Sequence, residues 1–465
     1  MTAPAPRALL ADDRPRLLMV MPYRQFVRKA RAAGFWVGAI WDPRLETPDY
    51  LSDVRDLADL FVTADFSDRD LLRRTIGSVA RQHHASVIYH IGREETMVLA
   101  HEVAESLHAE VNSAAAIGFL ADKHAMRDLL ARHDVSPVSF AAAPTRQDVP
   151  GAVRRIGTPA VVKPVALAGS RGVFLWQEPG DLTAWTALVD TYGYDGPFLV
   201  EEYLRGPEYS VETLSHEGDH QVVGITEKLL GPPPLFVEVG HVHPAPLPPE
   251  RRRAVEELTV RFLTVCGYRS GPAHTEVIWT ARGPRIVESQ ARLGGDRIPR
   301  LVELACGLDI EQAIFTGLAG TPADVPAPTA TAAVRFFTFP PGRLDAIRGL
   351  ERARRLPYVD ELALRPRPGD RVREVRDSKG RHGHVIVSGA TPAQARSRCA
   401  EVLATIELVI DGTPVRADGL ALERPTPPRA PSPGAPPHPS THPNLPTRRK
   451  ATTVQGSASP ARRSS

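Results

Sequence analysis

The apolar positions of the first hundred residues fall into short runs separated by stretches of helical period. Leu17 to Met21 is an unbroken apolar run, and such a run predicts a buried strand. A helical stretch follows from Phe26 to Ala33, Gly34 ends it, and Phe35 to Trp41 predicts a second strand. Leu60 to Val62 and Ser86 to Tyr89 repeat the short-strand pattern between helices, which predicts a parallel α/β sheet. The turn after the first strand, Pro22 to Gln25, has no glycine, so the dinucleotide-binding fingerprint is missing and a nicotinamide enzyme is rejected. From Asp122 to about Gly320 strand-rich segments alternate with long helices, and Thr331 to Ile410 reads as a further α+β stretch. After Arg424 the chain turns to Pro, Ser, Thr, Arg and Gly and has too little apolar surface to fold, so it is expected to be disordered. Arg448, Arg449 and Lys450 lie there and read as a solvated basic cluster. Four segments result: an N-terminal α/β domain over 16–115, a central domain over 116–325, a C-terminal α+β domain over 331–412, and a tail over 424–465.

Composition narrows the function classes. A net charge of +3 over 465 residues gives no support for nucleic acid as a partner. No apolar run approaches the roughly 20 residues a membrane helix needs, and Met1 to Arg16 lacks the apolar core of a secretory signal, so no membrane partner and a cytoplasmic setting are expected. Cys266, Cys306 and Cys399 are scattered without metal-ligand spacing and read as small core residues. Positive charge is nearly all arginine; the lysines are Lys29, Lys123, Lys163, Lys228, Lys379 and Lys450. A lysine in such a chain tilts toward a position that needs a compact, flexible ammonium.

Two segments carry candidate chemistry. In the first, an apolar strand delivers Lys163, Pro164 is expected to break the ladder, and a small-residue loop follows with Gly169, Ser170 and Gly172. Small residues let backbone N–H groups approach phosphate oxygens, and the lysine adds positive charge; an ordinary hairpin is the alternative. The next strand, Phe198 to Leu204, ends in Glu201 and Glu202, and Glu208 follows a turn. Its backbone could read an adenine edge while Glu208 accepts ribose hydroxyls; a hairpin with a solvated acidic tip is the alternative. In the second segment, two β-rich runs flank Arg282-Gly283-Pro284. A three- or five-residue loop with Gly283 left-handed would set Glu276 opposite Glu288. Opposed carboxylates repel, so a cation is expected between them, and hard oxygen ligands suit magnesium. Glu288, Gln290 and Arg292 share a face by alternation, Gly294 and Gly295 permit close approach to a ligand, and Asp296 follows. A surface Glu–Arg ladder is the competing reading.

Together these motifs resemble the ATP-grasp superfamily: Lys-Pro-x5-Ser-x-Gly-Val from Lys163, Val-Glu-Glu-Tyr-Leu-x-Gly-x-Glu-Tyr-Ser from Val200, and Glu-x-Gln-x-Arg-x-Gly-Gly from Glu288. More closely the chain is similar to the L-amino-acid ligases, over roughly Arg16 to Ile410. Glu351 to Ile386 reads like that family's C-terminal domain, with Pro368-Gly369-Asp370 and Asp377-Ser378 leading to Arg381 and Gly383. The resemblance implies an ATP-grasp fold behind a Rossmann-like pre-ATP-grasp domain. It implies ATP with Mg2+, Mn2+ being a possible substitute. Lys123 and Lys163 would hold phosphates, Glu201, Glu202, Tyr203 and Leu204 would form the adenine hinge mostly through backbone, and Glu208 would bind ribose. Glu276, Glu288 and Gln290 would hold metal, Gln290 standing where the family usually has Asn. Arg292 would stabilise the acyl-phosphate chemistry. Lys228, His241 and His274, with Gly294, Gly295 and Asp296, would lie at the substrate pocket, as would Glu227, Glu238 and Gly240; His243 is a further candidate. The implied reaction joins a small-molecule carboxylate to an amine, amino acids foremost, through an acyl phosphate; a homodimer remains open. The alternatives are an ATP-grasp carboxylase or purine-pathway-type enzyme, and a catalytically weak ATP-binding protein.

Overall fold

A computed structural model describes residues 13–92 and 96–417. Its first sheet is built from β1 (Arg16–Val20), β2 (Trp36–Trp41), β3 (Leu60–Thr63) and β4 (Val87–His90), all parallel, in the order β3-β2-β1-β4. Parallel strands need crossovers, and the helices Arg24–Ala32, Pro48–Leu57 and Arg69–Gln82 supply them. Thr47 and Asp68 cap the second and third by accepting the Tyr50 and Leu71 backbone N–H groups. Every residue of β2 is buried, as expected for a strand covered on both faces. Two helices from much later in the chain, Ile298–Cys306 and Ile310–Leu318, close this core through Ile298, Val302, Ile314 and Phe315.

A second sheet consists of β5 (Phe140–Ala143), β6 (Ala160–Pro164), β7 (Phe174–Trp176) and β8 (Phe198–Glu202), antiparallel, in the order β5-β8-β6-β7. Trp176, Trp185 and Phe198 form an aromatic cluster in its core with the helix Asp181–Thr191. The ladder ends at Pro164, as expected. Pro164 pairs with Phe198 on β8, while β7 reaches only as far as Val162, so no second neighbour requires the N–H that proline lacks.

The remaining strands are β9 (Glu208–His216), β10 (Asp219–Leu230), β11 (Glu238–His243), β12 (Gly271–Thr280), β13 (Gly283–Gln290), β14 (Thr331–Phe336), β15 (Gly342–Arg348), β16 (Val359–Leu364), β17 (Arg371–Val372), β18 (Gly383–Gly389), β19 (Glu407–Ile410) and β20 (Thr413–Arg416). Eight of them make one sheet in the order β13-β12-β9-β10-β11-β14-β18-β16, and four make a small sheet in the order β17-β15-β19-β20. One face of the large sheet is apolar: Val211, Ile225, Ala273, Val277 and Ile286 pack on Val255, Phe262 and Leu263 of the helix Pro249–Cys266. Burying such side chains contributes about 1.5–3 kcal/mol each, which holds the opposite, ionisable face in place. Among the described residues no helix is long and apolar enough to cross a membrane. The tail expectation, residues 424–465, lies outside the described residues.

Candidate active site

Strand alternation gathers a row of charged side chains on one face of the large sheet. Glu208 and Glu212 lie four residues apart on β9 and therefore point the same way. Across from them β12 sets Glu276 opposite Ser210 and His274 opposite Glu212. β13 extends both rows, with Glu288 opposite Glu276 and Gln290 opposite His274. On the other side Lys228 of β10 lies opposite Glu208, and His241 of β11 opposite Lys228.

The Glu276–Glu288 opposition arises differently from the expected loop. Thr280 pairs with Gly283, so the turn is the two residues Ala281 and Arg282 rather than three or five. A two-residue turn alone would put the glutamates out of register. A β-bulge restores it: Val277 pairs with Ile286, yet Glu276 pairs with Glu288, leaving Val287 as the extra residue. Gly283 does take a positive φ, 87°.

This face and the second sheet line a common cavity of about 230 Å³. Every position assigned above to phosphate, adenine, ribose or metal lines it except Gly172, and Arg292 lines it too. Of the substrate-pocket candidates, Lys228, Glu238, His241, His274, Gly295 and Asp296 line it, while Glu227, Gly240, His243 and Gly294 do not. Gly172 acts on the loop's shape: its φ is +72°, and a Cβ there would stand 2.8 Å from the Pro164 ring. Gly294 sits where a Cβ would meet His274 Nδ1 at 2.7 Å and Glu212 Oε1 at 2.8 Å, and its N–H donates to Glu212 Oε2 at 3.0 Å. His243 is bonded to Thr226, 2.9 Å away, and burial lowers its imidazole to about 4, so it is a neutral structural histidine.

Salt bridges organise the cavity wall. Lys163 Nζ lies 2.7 Å from Glu201 Oε2, and the other Glu201 oxygen accepts from Arg127 Nε. Burial alone would raise the Glu201 carboxyl, but Arg127 and Lys163 outweigh it and hold it at about 2. The Glu201 side chain therefore anchors the lysine, leaving only backbone to face a base. Glu202 is likewise engaged, accepting from the Ser139 N–H at 3.0 Å and from Arg282 at 2.6 Å. Ser170 donates to the Phe236 carbonyl at 2.8 Å.

Each of the opposed glutamates contacts a different lysine, and neither lysine bridges the pair. Lys228, buried in the sheet face, lies 2.5 Å from Glu208, 2.7 Å from Glu276 and 3.6 Å from Glu238. Lys123, at the start of the helix Lys123–Arg132, lies 3.3 Å from Glu288. Burial pushes the Glu208 carboxyl up despite Lys228, whereas for Glu276 burial is outweighed by Lys228 and His274 and the carboxyl is held well below the usual range. Burial would lower the His274 imidazole, yet Glu212 at 2.6 Å and Glu276 at 3.4 Å raise it to about 9. His274 is thus an imidazolium at neutral pH, clamped between two carboxylates.

At the far end of the cavity Asp296 accepts from both Arg381 terminal nitrogens and lies 3.1 Å from His241 Nε2. Arg381 also donates to the Ser378 carbonyl at 2.7 Å, and Ser378 donates to Glu238. Burial would raise the Asp296 carboxyl; His241 and Arg381 hold it far below its usual range. Arg127, Glu212, Ser378 and Arg381 were given no role from sequence. For Glu212 a signal existed, since alternation from Glu208 puts it on the same face. Arg381 lies 85 residues beyond Asp296, Ser378 only slightly fewer, and nothing local announces their contact.

Among the described residues no three His, Cys, Asp or Glu side chains are grouped to hold a metal ion by themselves. Glu276, Glu288 and Gln290 nevertheless fit an ion that shares its oxygens with phosphate, because Mg2+ is usually held by one or two carboxylates, substrate phosphate and water. Gln290 Nε2 donates to Glu288 at 2.7 Å, while Gln290 Oε1 is buried with no hydrogen-bond partner. A buried amide oxygen left so is costly and suits a cation.

The chain is similar to known proteins over its central and C-terminal parts. A family model for the ATP-grasp domain matches residues 156–300, and one described as L-amino acid ligase C-terminal domain 2 matches residues 335–411. The uncharacterized protein y4rH of Sinorhizobium fredii is 32% identical over 282 residues, 59% of this chain and 58% of that protein. Alanine–anticapsin ligase of Bacillus subtilis is 27% identical over 230 residues, 44% of this chain and 48% of the enzyme. The chain thus matches about half the length of these curated relatives. The crystal structure of an L-amino acid ligase from Bacillus licheniformis superposes with a TM-score of 0.71 at 20% identity, covering 85% of this chain and 98% of that one, and shows the shared fold.

Proposed function

The chain belongs to the ATP-grasp L-amino-acid ligase family, and from that premise we propose that it is an ATP- and Mg2+-dependent ligase joining the carboxylate of one amino acid or similar acid to the amine of another. The observation that carries the reading is the convergence of Lys123, Lys163, Glu276, Glu288, Gln290 and Arg292 on one cavity. Two lysines and an arginine beside two glutamates and an open amide oxygen are what a metal-bound triphosphate and a developing acyl phosphate need.

In this reading Lys163 and Lys123 bind phosphate oxygens, and the Glu201–Arg127 pair fixes the Lys163 ammonium before ATP arrives. Glu276, Glu288 and Gln290 would hold Mg2+, which when bound neutralises phosphate charge. The acceptor carboxylate attacks the γ-phosphorus, ADP departs, and an amine then displaces phosphate from the acyl carbon. Arg292 faces the anionic centre in both steps. Lys228 keeps Glu208 and Glu276 from repelling one another. Asp296 and His241 line the pocket, and Arg381 holds the Asp296 carboxylate in place from outside it. The protein's work is positioning and charge neutralisation, with water displaced from the cavity by substrates.

The test is a screen of amino-acid pairs for ADP and phosphate release with mass detection of the product. A dipeptide formed with one ADP per bond supports the proposal. Turnover with bicarbonate or an aminated sugar phosphate, and none with amino acids, would replace it with the carboxylase or purine-type reading.

A further inference from the structure

The small-residue loop between β6 and β7, residues 165–173, meets the C-terminal domain along a seam. Gly169 and Ser170 of the loop and Ser378 of that domain line the same catalytic cavity. At about 230 Å³ the cavity is smaller than the roughly 300–1,000 Å³ of most small-molecule sites, yet the proposed reaction has to fit a triphosphate nucleotide and an acid into it. Part of the wall therefore has to move, and the bonds across the seam show where.

On the far side of the seam stands the short turn Ser378–Gly380, between β17 and β18. Asp377 caps it, its Oδ1 accepting from the Gly380 N–H at 2.8 Å. Buried groups anchor this turn to the large sheet. Arg381 donates to the Ser378 carbonyl at 2.7 Å and to both oxygens of Asp296, and the Ser378 hydroxyl donates to Glu238. Toward the loop the turn makes two single hydrogen bonds. The Ser378 N–H donates to the Gly169 carbonyl at 3.3 Å, and Asp377 Oδ2 accepts from the Tyr192 hydroxyl at 2.9 Å. Tyr192 ends the helix Asp181–Thr191, and a Cβ on Gly172 would stand 3.9 Å from its ring, so it lies beside the loop. Gly169 is exposed and Tyr192 half-buried, so water can replace both partners when the layers part. Arg381 is buried, and parting there would strand the Asp296 carboxylate. The seam opens on the loop side of the turn. Two other bonds hold the loop across the cavity, Lys123 to the Leu167 carbonyl at 3.3 Å and Ser170 to the Phe236 carbonyl at 2.8 Å, and both come from side chains assigned to the nucleotide.

We propose that the turn Asp377–Gly380 is a latch on the phosphate loop. Tyr192 and Asp377 are positioning residues that hold Gly169 and Ser170 over the nucleotide, and their bond releases each time nucleotide enters or leaves. The proposal rests on the assignment of this cavity to a nucleotide. It gives the C-terminal domain a part in the reaction, because the arginine that fixes the latch also fixes Asp296 in the cavity wall.

Uptake and release of radiolabelled ADP with Mg2+, followed by rapid filtration on the full chain, test the latch. Tyr192→Phe removes the hydroxyl and keeps the ring. It should release ADP about three- to tenfold faster and take it up faster as well, since the same opening admits it. Gly169→Cys with Ser378→Cys tests the seam itself. The two Cβ atoms would stand 3.9 Å apart, within disulfide range, and Cys266, Cys306 and Cys399 are buried away from oxidant. The left-handed backbone at Gly169 strains a cysteine, but equally before and after oxidation. Loaded with ADP and then oxidised, this variant should keep its label through a chase that empties the same protein when reduced. Equal release from the two redox forms, or a pair that forms no disulfide, would overturn the latch. So would wild-type release in Tyr192→Phe, or faster release with unchanged uptake, which marks a site merely loosened. A wild-type chain that binds no ADP would instead end the nucleotide assignment on which the latch rests.

Discussion

Lys228→Met tests whether the carboxylate face of the large sheet is held by charge. Methionine keeps the length of the lysine stem, so the packing change is small. What disappears is the ammonium 2.5 Å from Glu208 and 2.7 Å from Glu276. Removing one partner of a buried ion pair costs about 3–5 kcal/mol, because the other is left uncompensated. Here two contacting carboxylates are stranded, with Glu238 close by, which puts the expectation near the top of that range. The loss should depend on pH in a definite sense. Glu208 is already pushed up by burial with Lys228 opposing the shift, so without Lys228 its folded-state value rises further above the unfolded value of about 4.3. A carboxyl raised in the folded state takes up protons on folding, so the penalty is full above the folded value and fades as pH falls toward the unfolded one. Urea unfolding at pH 8 and pH 5.5, each against wild type, should show a smaller deficit at pH 5.5. Glu208→Gln combined with Lys228→Met should recover part of it. A deficit below about 1 kcal/mol at pH 8, or one equal at both pH values with no recovery in the double variant, would refute the electrostatic account.

Lys163→Ala should abolish turnover and weaken ATP binding; unchanged nucleotide affinity by calorimetry would remove Lys163 from the phosphate site. Glu288→Gln should retain the fold, lose most metal-dependent phosphate release and lower apo stability by up to about 1 kcal/mol. Relief of Glu276–Glu288 repulsion would have predicted a slight gain instead, but Lys123 lies 3.3 Å from Glu288 and its contact is lost too; thermal melts with and without Mg-ATP, beside a phosphate assay, separate the two. Gly172→Ala forces a side chain into a left-handed backbone 2.8 Å from the Pro164 ring and should cost about 1–3 kcal/mol in urea unfolding.

Much of the cavity is legible in the sequence because it is built on strands. A period of two makes face-sharing a matter of counting, and that is how Glu288 with Gln290 is reached from one chain segment. Local patterns also sufficed for the parallel N-terminal sheet, whose strands are short apolar runs with helices between them. The hairpin shows where counting ends. Glu276 and Glu288 do face each other, but through a two-residue turn corrected by a bulge at Val287, and a bulge leaves no sign in the alternation of polar and apolar residues.

What the sequence determined by itself is therefore the set of local periods: strands, loops of small residues, and the order of charged groups along each element. Only the tertiary structure decided which charges meet. Lys228 neutralises Glu276 from 48 residues away, Glu201 anchors Lys163 across the second sheet, and Arg381 reaches Asp296 over 85 residues. Such pairs are fixed by strand order and by the packing of separate layers, whereas the polar–apolar pattern of a segment records only whether a side chain is buried. A buried charge must find an opposite charge, but the sequence around it does not say which one.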